Sequence, residues 1–258
     1  MKPTYHDEGF RVVLDADIVG CFDNLPLALI KEAVAAQVAD GNILNLVEKF
    51  LRAGVMENGV FKPTTVGTPQ GGVISPLLAN IVLNHLDWQL AKRGFRFVRY
   101  ADDFVVLCRT QAQAEEALAL VTQTLADLGL SLSAEKTRIT TYGRGYSFLG
   151  FALSSQSRRM REKSKRKFEE KVRELTARSH NLDCEVIAKL NRVIQGTAQY
   201  FATRWFTGRQ VLRELDAWIR RRVRCMKYKR FSYHDNRRFR LKQCERLGLL
   251  SLESFCQA

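Results

Sequence analysis

The segment Phe-Val-Arg-Tyr-Ala-Asp-Asp-Phe-Val-Val-Leu-Cys, residues 97–108, decides the fold. Its two apolar, β-favouring runs flank Asp102 and Asp103, which predicts two strands joined by a tight acidic turn. Another β-favouring run, Arg11–Leu14, comes shortly before Asp17. If these strands lie side by side, three carboxylates gather at one end of a sheet.

Three carboxylates held together repel one another unless a cation neutralises them. Ligands that offer only oxygen favour Mg²⁺ or Mn²⁺, and two such ions about 3.5–4 Å apart can activate an attacking hydroxyl and stabilise a leaving pyrophosphate. An Asp-Asp dipeptide in a turn also occurs for turn chemistry alone. The dipeptide by itself therefore leaves both interpretations open.

Strands and helices alternate through the first half of the chain. The predicted strands are Arg11–Leu14, Phe97–Ala101, Phe104–Cys108, Arg138–Thr141 and Ser147–Phe151, with a hairpin at Asn58-Gly59 between Val55-Met56 and Val60-Phe61. The predicted helices are Leu27–Val38, Ser75–Arg93 with Ser75 as N-cap and a stop at Gly94, and Ala112–Leu128 with a stop at Gly129. This mixed order predicts an α+β fold in which helices back an antiparallel sheet.

The second half is predicted to be an all-α bundle. Strand signals end near Ser155, and amphipathic helices are predicted at Lys165–Arg178, Cys184–Ala202 and Gln210–Lys227. The serine- and arginine-rich stretch Ser154–Ser164 is the predicted linker. We therefore expect two domains, residues 1–154 and 155–258.

The basic charge of the chain is confined to its second half. Residues 1–150 hold 14 Lys and Arg against 16 Asp and Glu, whereas residues 151–258 hold 27 against 11, a net charge of +16. Positive charge sustained over a hundred residues among aromatic side chains predicts a polyanion partner held through its phosphates. A solvated or membrane-surface face is the alternative, but such a face normally takes only one amphipathic helix.

The sequence argues against a membrane-spanning, secreted or zinc-binding protein. No apolar run of about 18 residues and no signal peptide is present, so we expect a cytoplasmic protein without a membrane partner. Six scattered cysteines, with no CxxC pair, predict buried reduced thiols rather than a zinc site.

Four motifs stand in the order found in one known family. They are Asp-Ile-Val-Gly-Cys-Phe-Asp at 17–23, Gly-Thr-Pro-Gln-Gly-Gly-Val-Ile-Ser-Pro-Leu-Leu-Ala-Asn-Ile-Val-Leu-Asn-His-Leu-Asp at 67–87, Tyr-Ala-Asp-Asp-Phe at 100–104, and Phe-Leu-Gly-Phe at 148–151. Together they resemble the reverse transcriptases of group II introns, also called maturases. The resemblance implies an RNA-directed DNA polymerase palm that uses two Mg²⁺ or Mn²⁺ ions. A palm-type nucleotide cyclase shares the sheet but leaves the 67–87 segment and the basic second half unexplained.

The resemblance also implies roles for individual residues. The metal ligands would be Asp17, Asp102, Asp103 and the Ile18 carbonyl; the nucleotide site would be formed by Phe22 as the steric gate, Gln70, Gly71 and Lys136; and the primer grip would be Phe148, Leu149 and Gly150. Without the motifs, a core position for Phe22 and a solvated side chain for Lys136 are the simpler interpretations.

The second half resembles the thumb, or maturase domain, of the same family. The similar segments are Leu190-Asn191, Ile194–Phe201, Leu215–Ile219 and Tyr228–Phe231. The predicted RNA contacts are Lys163, Lys165, Arg166, Lys167, Arg220, Arg221, Arg222, Arg224, Lys227, Lys229 and Arg230, which would grip phosphates without choosing a sequence. We interpret Trp218 as part of the bundle core.

The resemblance implies three partners: group II intron RNA, an RNA template–DNA primer duplex and deoxynucleoside triphosphates. The family's fingers precede its first aspartate motif, and sixteen residues precede Asp17 here. We therefore expect either that fingers come from another chain or from a homodimer, or that this chain is cut from a longer, fingers-bearing parent. No endonuclease module is expected after the thumb. A polymerase-inactive remnant that binds RNA and aids splicing is the alternative hypothesis.

Overall fold

The computed structural model describes residues 9–57, 60–62 and 72–256, with only the backbone for 55–57 and 60–62. The chain divides into two compact units between Phe148 and Leu149. The predicted domain boundary after residue 154 stays a prediction. Gln70, Gly71 and the Asn58-Gly59 turn lie outside the described residues.

The first unit is built on an antiparallel sheet. Its strands are β1 (Val12–Asp17), β2 (Val55–Glu57), β3 (Val60–Lys62), β4 (Arg96–Tyr100), β5 (Asp103–Cys108), β6 (Arg138–Thr141) and β7 (Tyr146–Phe148). Four of them form one sheet in the order β4-β5-β1-β6, and each neighbouring pair in that sheet is antiparallel. β2 and β3 pair separately as the predicted hairpin strands.

Helices cover the sheet. They are α1 (Cys21–Asn24), α2 (Leu27–Ala35), α3 (Gly41–Arg52), α4 (Ser75–Lys92) and α5 (Gln111–Asp127). Side chains on one face of β1 and β5, such as Leu14, Phe104 and Val106, share the main core with helical residues such as Leu83 and Leu86. Val105 on the opposite face is also fully buried. This burial explains why β5 is continuously apolar rather than alternating.

The residues at the ends of α4 and α2 can be compared with the predicted helix boundaries. Gly94 has a φ of 75°, and its N–H donates to the Ala91 carbonyl at 2.9 Å, which closes α4 as predicted. Ser75 is not the N-cap: Ile74 takes that position, and Ser75 with Pro76 begins the first turn. The helix predicted to reach Val38 ends at Ala35.

Helix α3 was missed by the sequence analysis. Its N-cap Asp40 accepts a hydrogen bond from the Asn42 N–H at 2.7 Å, and Val47 and Leu51 bury one face. An acidic residue before an apolar repeat at helical spacing is the signal that could have found it.

The second unit is mainly helical. It contains β8 (Phe151–Leu153), β9 (Arg158–Met160), α6 (Glu162–Leu175), α7 (Cys184–Phe201), α8 (Arg209–Tyr228), α9 (Asp235–Arg238), α10 (Leu241–Arg246) and a 3₁₀ turn (Glu253–Phe255). The three long helices confirm the predicted bundle, and the α+β class is confirmed.

Two predictions around the linker were wrong. Strands were predicted to end near Ser155, but β9 lies within the predicted linker Ser154–Ser164 and pairs with β8, and α6 begins at Glu162. Backbone and side-chain hydrogen bonds between Arg158 and Thr207 hold β9 in place. The single strand predicted at Ser147–Phe151 is interrupted, since β7 ends at Phe148 and β8 starts at Phe151.

All six cysteines are free thiols. Four are buried, as predicted, but Cys184 is exposed at the start of α7 and Cys256 is half-buried. Among the helices that the structure describes, none is long and apolar enough to cross a bilayer.

Candidate active site

The acidic end of the sheet is formed by β1 and β5. Asp17 is the last residue of β1 and pairs directly with Asp103, the first residue of β5. Directly opposed residues in an antiparallel pair project to the same face of the sheet. The sheet register therefore brings the two predicted carboxylates together.

The third carboxylate lies in the turn between β4 and β5. Tyr100 pairs with Asp103, which leaves Ala101 and Asp102 as a two-residue loop. Ala101 has a φ of 56°, a left-handed conformation that a residue with a side chain adopts at some cost in strain. Such strain persists only where surrounding contacts hold the turn.

Arg99 supplies those contacts. Its Nε donates to Asp87 Oδ1 at 2.8 Å, and its Nη1 donates both to Asn80 Oδ1 at 2.8 Å and to the Ala101 carbonyl at 2.9 Å. A second bond, from Nη2 to Asp87 Oδ2, makes the ion pair bidentate. The Arg99 side chain is only 9% exposed. The role of Arg99 cannot be predicted from its neighbours in the chain, because Asp87 and Asn80 lie on α4.

A cavity of about 430 Å³ opens beside these carboxylates. It is lined by Asp17, Ile18, Val19, Gly20, Cys21, Phe22, Asp23, Asp102, Ser133 and Lys136. Five of the predicted site residues, namely Asp17, Ile18, Phe22, Asp102 and Lys136, thus share one cavity. Phe22 is half-buried and packs against the main core while it lines the cavity.

Lys136 is brought to the site by a turn that is hydrogen-bonded to β1. The Ser133 N–H donates to the Asp17 carbonyl at 2.8 Å, and the Thr137 N–H donates back to Ser133 at 2.8 Å. Lys136 Nζ then lies 2.8 Å from Asp17 Oδ2. The hydrogen bond and charge of Asp17, together with the charges of Asp102 and Asp103, raise the pKa of Lys136. One ammonium group therefore lies in the field of all three aspartates.

Cys21 is a second residue that sequence analysis did not assign to the site. Burial and the negative charge of Asp102 raise the pKa of its thiol to about 12, and the positive charge of Arg99 opposes the shift. Gly20, which precedes it, has a φ of 49°, and a Cβ there would meet Asn24 Nδ2 at 2.8 Å. Asn24 Nδ2 in turn donates to the Val19 carbonyl, so this tight turn shapes one wall of the cavity.

The oxygen donors at this end of the sheet match a hard divalent cation in kind. Within the described residues, however, no three His, Cys, Asp or Glu side chains are arranged as a metal site. Asp17 is instead paired with Lys136. A metal ion would have to displace that ammonium group to use both Asp17 oxygens.

The motif predicted as the primer grip forms a strained turn. Phe148 is buried at the end of the first unit. At the start of the second unit, Leu149 and Gly150 have φ angles of 48° and 78°. The Tyr200 hydroxyl donates to the Leu149 carbonyl at 2.8 Å, and Ser164 Oγ donates to the Gly150 carbonyl at 3.1 Å. The primer-grip role stays a prediction.

The predicted RNA contacts fall into two groups. Lys163, Arg166 and Lys167 on α6 and Arg221 and Lys227 on α8 are exposed, whereas Lys165 and Arg220 are half-buried. The remaining four bond within the second unit: Arg222 to Thr176 and the Arg173 carbonyl, Arg224 to the Phe239 carbonyl, Lys229 to the His180 carbonyl, and Arg230 to Asp235. These four stabilise the fold, and RNA binding by all eleven stays a prediction.

Two polar residues of the thumb-like motifs are structural anchors. Asn191 donates to the Gly248 carbonyl at 2.7 Å and accepts from the Leu250 N–H at 2.9 Å. Asp216 is buried and accepts from the Leu252 N–H at 2.7 Å, among three hydrogen bonds. Trp218 packs against the core of the bundle, as interpreted from the sequence.

Comparison with known proteins gives relatives for both halves. Protein YkfC of Escherichia coli K12 is 32% identical over 178 residues, which cover 55% of this chain and 47% of YkfC. The group II intron-encoded protein LtrA of Lactococcus lactis subsp. cremoris is 41% identical over 91 residues, 35% of this chain and 15% of LtrA. The chain therefore matches less than half the length of either relative.

Solved structures show the same fold at low identity. Apo telomerase from Candida tropicalis aligns with 98% of this chain and 49% of its own, with a TM-score of 0.52 and 12% identity. The telomerase structure from Candida albicans with a fragment of telomeric RNA aligns with 87% of this chain and 46% of its own, with a TM-score of 0.50 and 14% identity. Identities this low indicate a shared fold alone.

Family profiles cover most of the sequence. The reverse transcriptase (RNA-dependent DNA polymerase) profile matches residues 4–153, and the group II intron maturase-specific domain matches residues 165–244. Since the first profile covers more than half of the chain and the second follows it, the chain belongs to the reverse transcriptase family, in its group II intron maturase branch.

Proposed function

We propose that the chain is an RNA-directed DNA polymerase and intron maturase that transfers deoxynucleotides to the 3′-hydroxyl of a primer. One observation carries the proposal: Lys136 lies in the field of Asp17, Asp102 and Asp103 at a cavity also lined by Phe22. Carboxylates, a cation and an aromatic ring in one cavity suit a nucleotide with its metal ions. Proteins of this fold family generally use divalent metal ions.

The three aspartates and the Ile18 carbonyl would hold two Mg²⁺ or Mn²⁺ ions. Such ions activate the attacking hydroxyl and stabilise the leaving pyrophosphate when bound. Because the paired β1 and β5 fix Asp17 and Asp103, and Arg99 braces the turn that carries Asp102, the protein orders these ligands before substrate arrives.

Lys136 and Phe22 would act on the nucleotide itself. The raised pKa of Lys136 keeps its ammonium charged at neutral pH, so it can neutralise charge on the triphosphate once a metal ion takes its place at Asp17. The Phe22 ring would occupy the space that a ribose 2′-hydroxyl needs, which favours deoxynucleotides.

The substrates and partners follow from the same proposal. They are deoxynucleoside triphosphates, an RNA template–DNA primer duplex and group II intron RNA, with a fingers-bearing chain or a second copy of this chain as the protein partner. Support comes from the net charge of +16 over residues 151–258 and from the maturase-specific match to residues 165–244. Phosphate contacts of this kind give affinity that falls steeply with salt.

Primer extension on an RNA template tests the polymerase activity. Asp102→Asn removes one negative charge at the turn and keeps the side-chain shape, so Mg²⁺-dependent incorporation should fall by about 10²–10³-fold. Asp127→Asn, an exposed aspartate at the end of α5, is the matched control and should retain full activity.

Two results would contradict the proposal. Equal incorporation by Asp102→Asn and the wild type would exclude this site as the polymerase centre. Intron RNA binding without any incorporation above an EDTA control would replace the polymerase with the RNA-binding splicing factor, the alternative hypothesis.

A further inference from the structure

Two aromatic side chains that follow the end of α8 are exposed to solvent. The chain reverses at Lys229, which has a φ of 56°, and then presents Phe231 and Tyr233. Their ring centroids lie 5.1 Å apart at an interplanar angle of 76°, and the residues are 49% and 71% exposed. Exposed aromatic pairs beside positive charge are typical of surfaces on which nucleobases stack.

These rings border a cavity of about 540 Å³ within the second unit. Its walls are the face of α8 that carries Trp218, Arg220 and Arg221, and the segment 230–236. The volume lies in the range of small-molecule pockets. A single nucleotide is a ligand of suitable size for this volume.

The arginines around the cavity differ in whether they are hydrogen-bonded to other residues of the protein. Arg224 donates to the Phe239 carbonyl at 2.8 Å, and Arg230 pairs at 3.1 Å with Asp235, which is only 1% exposed. These bonds hold the cavity wall. In the part of the chain that the structure describes, Arg220 and Arg221 make no such hydrogen bond or ion pair. Their guanidinium groups are therefore available to a phosphate.

We propose that this cavity captures an unpaired nucleotide of single-stranded RNA. The base stacks on the ring pair of Phe231 and Tyr233, and Arg220 and Arg221 bind the flanking phosphates. The inference rests on the proposed RNA-binding function and names a specific structure within that RNA. Bases inside an A-form duplex are stacked on one another, so only a loop, bulge or single strand offers a free face.

Binding of short RNAs to the full chain tests the proposal. The probes are a fluorescein-labelled ten-nucleotide single strand and a duplex of the same sequence, measured by anisotropy from 50 to 300 mM KCl. Phe231→Ala/Tyr233→Ala should weaken single-strand binding by about 10–100-fold, as expected for lost base stacking. Duplex binding should change by less than about twofold, because phosphate contacts dominate it.

Matched variants separate stacking from charge and from misfolding. Tyr233→Phe keeps the ring and should retain single-strand binding. Arg221→Gln should lower the slope of log affinity against log salt by about 1, whereas the aromatic double variant should leave the slope unchanged. Trp88→Ala removes an aromatic residue that is 59% exposed in the first unit and should leave RNA binding unchanged.

The proposal is overturned if the aromatic double variant binds the single strand as tightly as wild type does, or if it loses single-strand and duplex binding equally. Equal loss would mean that the rings support the fold of a general RNA surface. Unchanged RNA binding would point to a protein segment as the occupant. Primer extension is not read in this experiment, so failure of the polymerase proposal and failure of the cavity proposal are distinguishable.

Discussion

Replacement of Arg99 by alanine should destabilise the acidic turn through lost hydrogen bonds rather than lost volume. The Arg99 guanidinium connects Asp87 and Asn80 of α4 to the Ala101 carbonyl, and its side chain is 9% exposed. Removing one partner of a buried ion pair costs about 3–5 kcal/mol, because the other charge is left without compensation. The Asp87 side chain is 25% exposed, so solvent compensates part of the loss and we expect about 3 kcal/mol.

The measurement is urea unfolding of the full chain, followed through a probe in the first unit. In thermal unfolding of the same variant, a loss of about 3 kcal/mol corresponds to a fall in Tm of about 6–12 °C for a unit of this size. Asn80→Ala removes a single hydrogen bond and should cost only about 1 kcal/mol. An Arg99→Ala/Asp87→Ala double-mutant cycle then gives the coupling energy of the pair.

The same substitution should also weaken metal-dependent activity. Without the bond from Arg99, the left-handed turn at Ala101 relaxes, and Asp102 loses its fixed position. The Mg²⁺ concentration for half-maximal primer extension should therefore rise, whereas Asn80→Ala should change it little. A change in unfolding free energy below about 0.5 kcal/mol for Arg99→Ala, the size of an ordinary surface substitution, would refute the reasoning.

The remaining predictions concern Lys136 and two of the cysteines. Lys136→Met should lower the Mg²⁺ concentration needed for half-maximal binding, measured by calorimetry, because no ammonium competes at Asp17; an unchanged value would contradict that competition. Because the pKa of Lys136 is raised in the folded protein, its ion pair with Asp17 is fully present below the ordinary lysine value of 10.5 and is lost only as the pH rises through the folded pKa. The difference in Mg²⁺ affinity between Lys136→Met and the wild type should therefore stay constant from pH 6.5 to 9. Cys184, which is exposed, should react with iodoacetamide in the native protein. Cys21, with a pKa of about 12, is about 10⁻⁴ thiolate at pH 8 and should react only after unfolding, as peptide mass spectrometry would show.

Much of the site was accessible from local sequence. Asp102 and Asp103 between two apolar runs predict a hairpin because strands and tight turns depend on neighbouring residues. The family resemblance assigned Asp17, Phe22 and Lys136 to one site, and all three line one cavity. The class of fold and the change to a basic helical second half were also predicted from periodicity and charge.

Two of the misses share a physical cause. The strand β9 and the interruption at Leu149-Gly150 depend on backbone hydrogen bonds to residues such as Arg161 and Thr207, which local propensity does not register. Cys184 was taken as buried because free cysteines usually are, yet it begins α7 on the solvent side.

By itself, the sequence determined which residue types this protein offers: two aspartates in a turn, a phenylalanine after the first aspartate motif and a basic helical half. Only the tertiary structure decided which of them meet. The pairing of Asp17 with Asp103 and the hydrogen bonds from Arg99 to Asn80 and Asp87 join residues that are distant in the chain. The periodicity of the sequence indicates whether a side chain is buried or exposed. Which residue that side chain contacts across the fold depends on how whole helices and strands pack together.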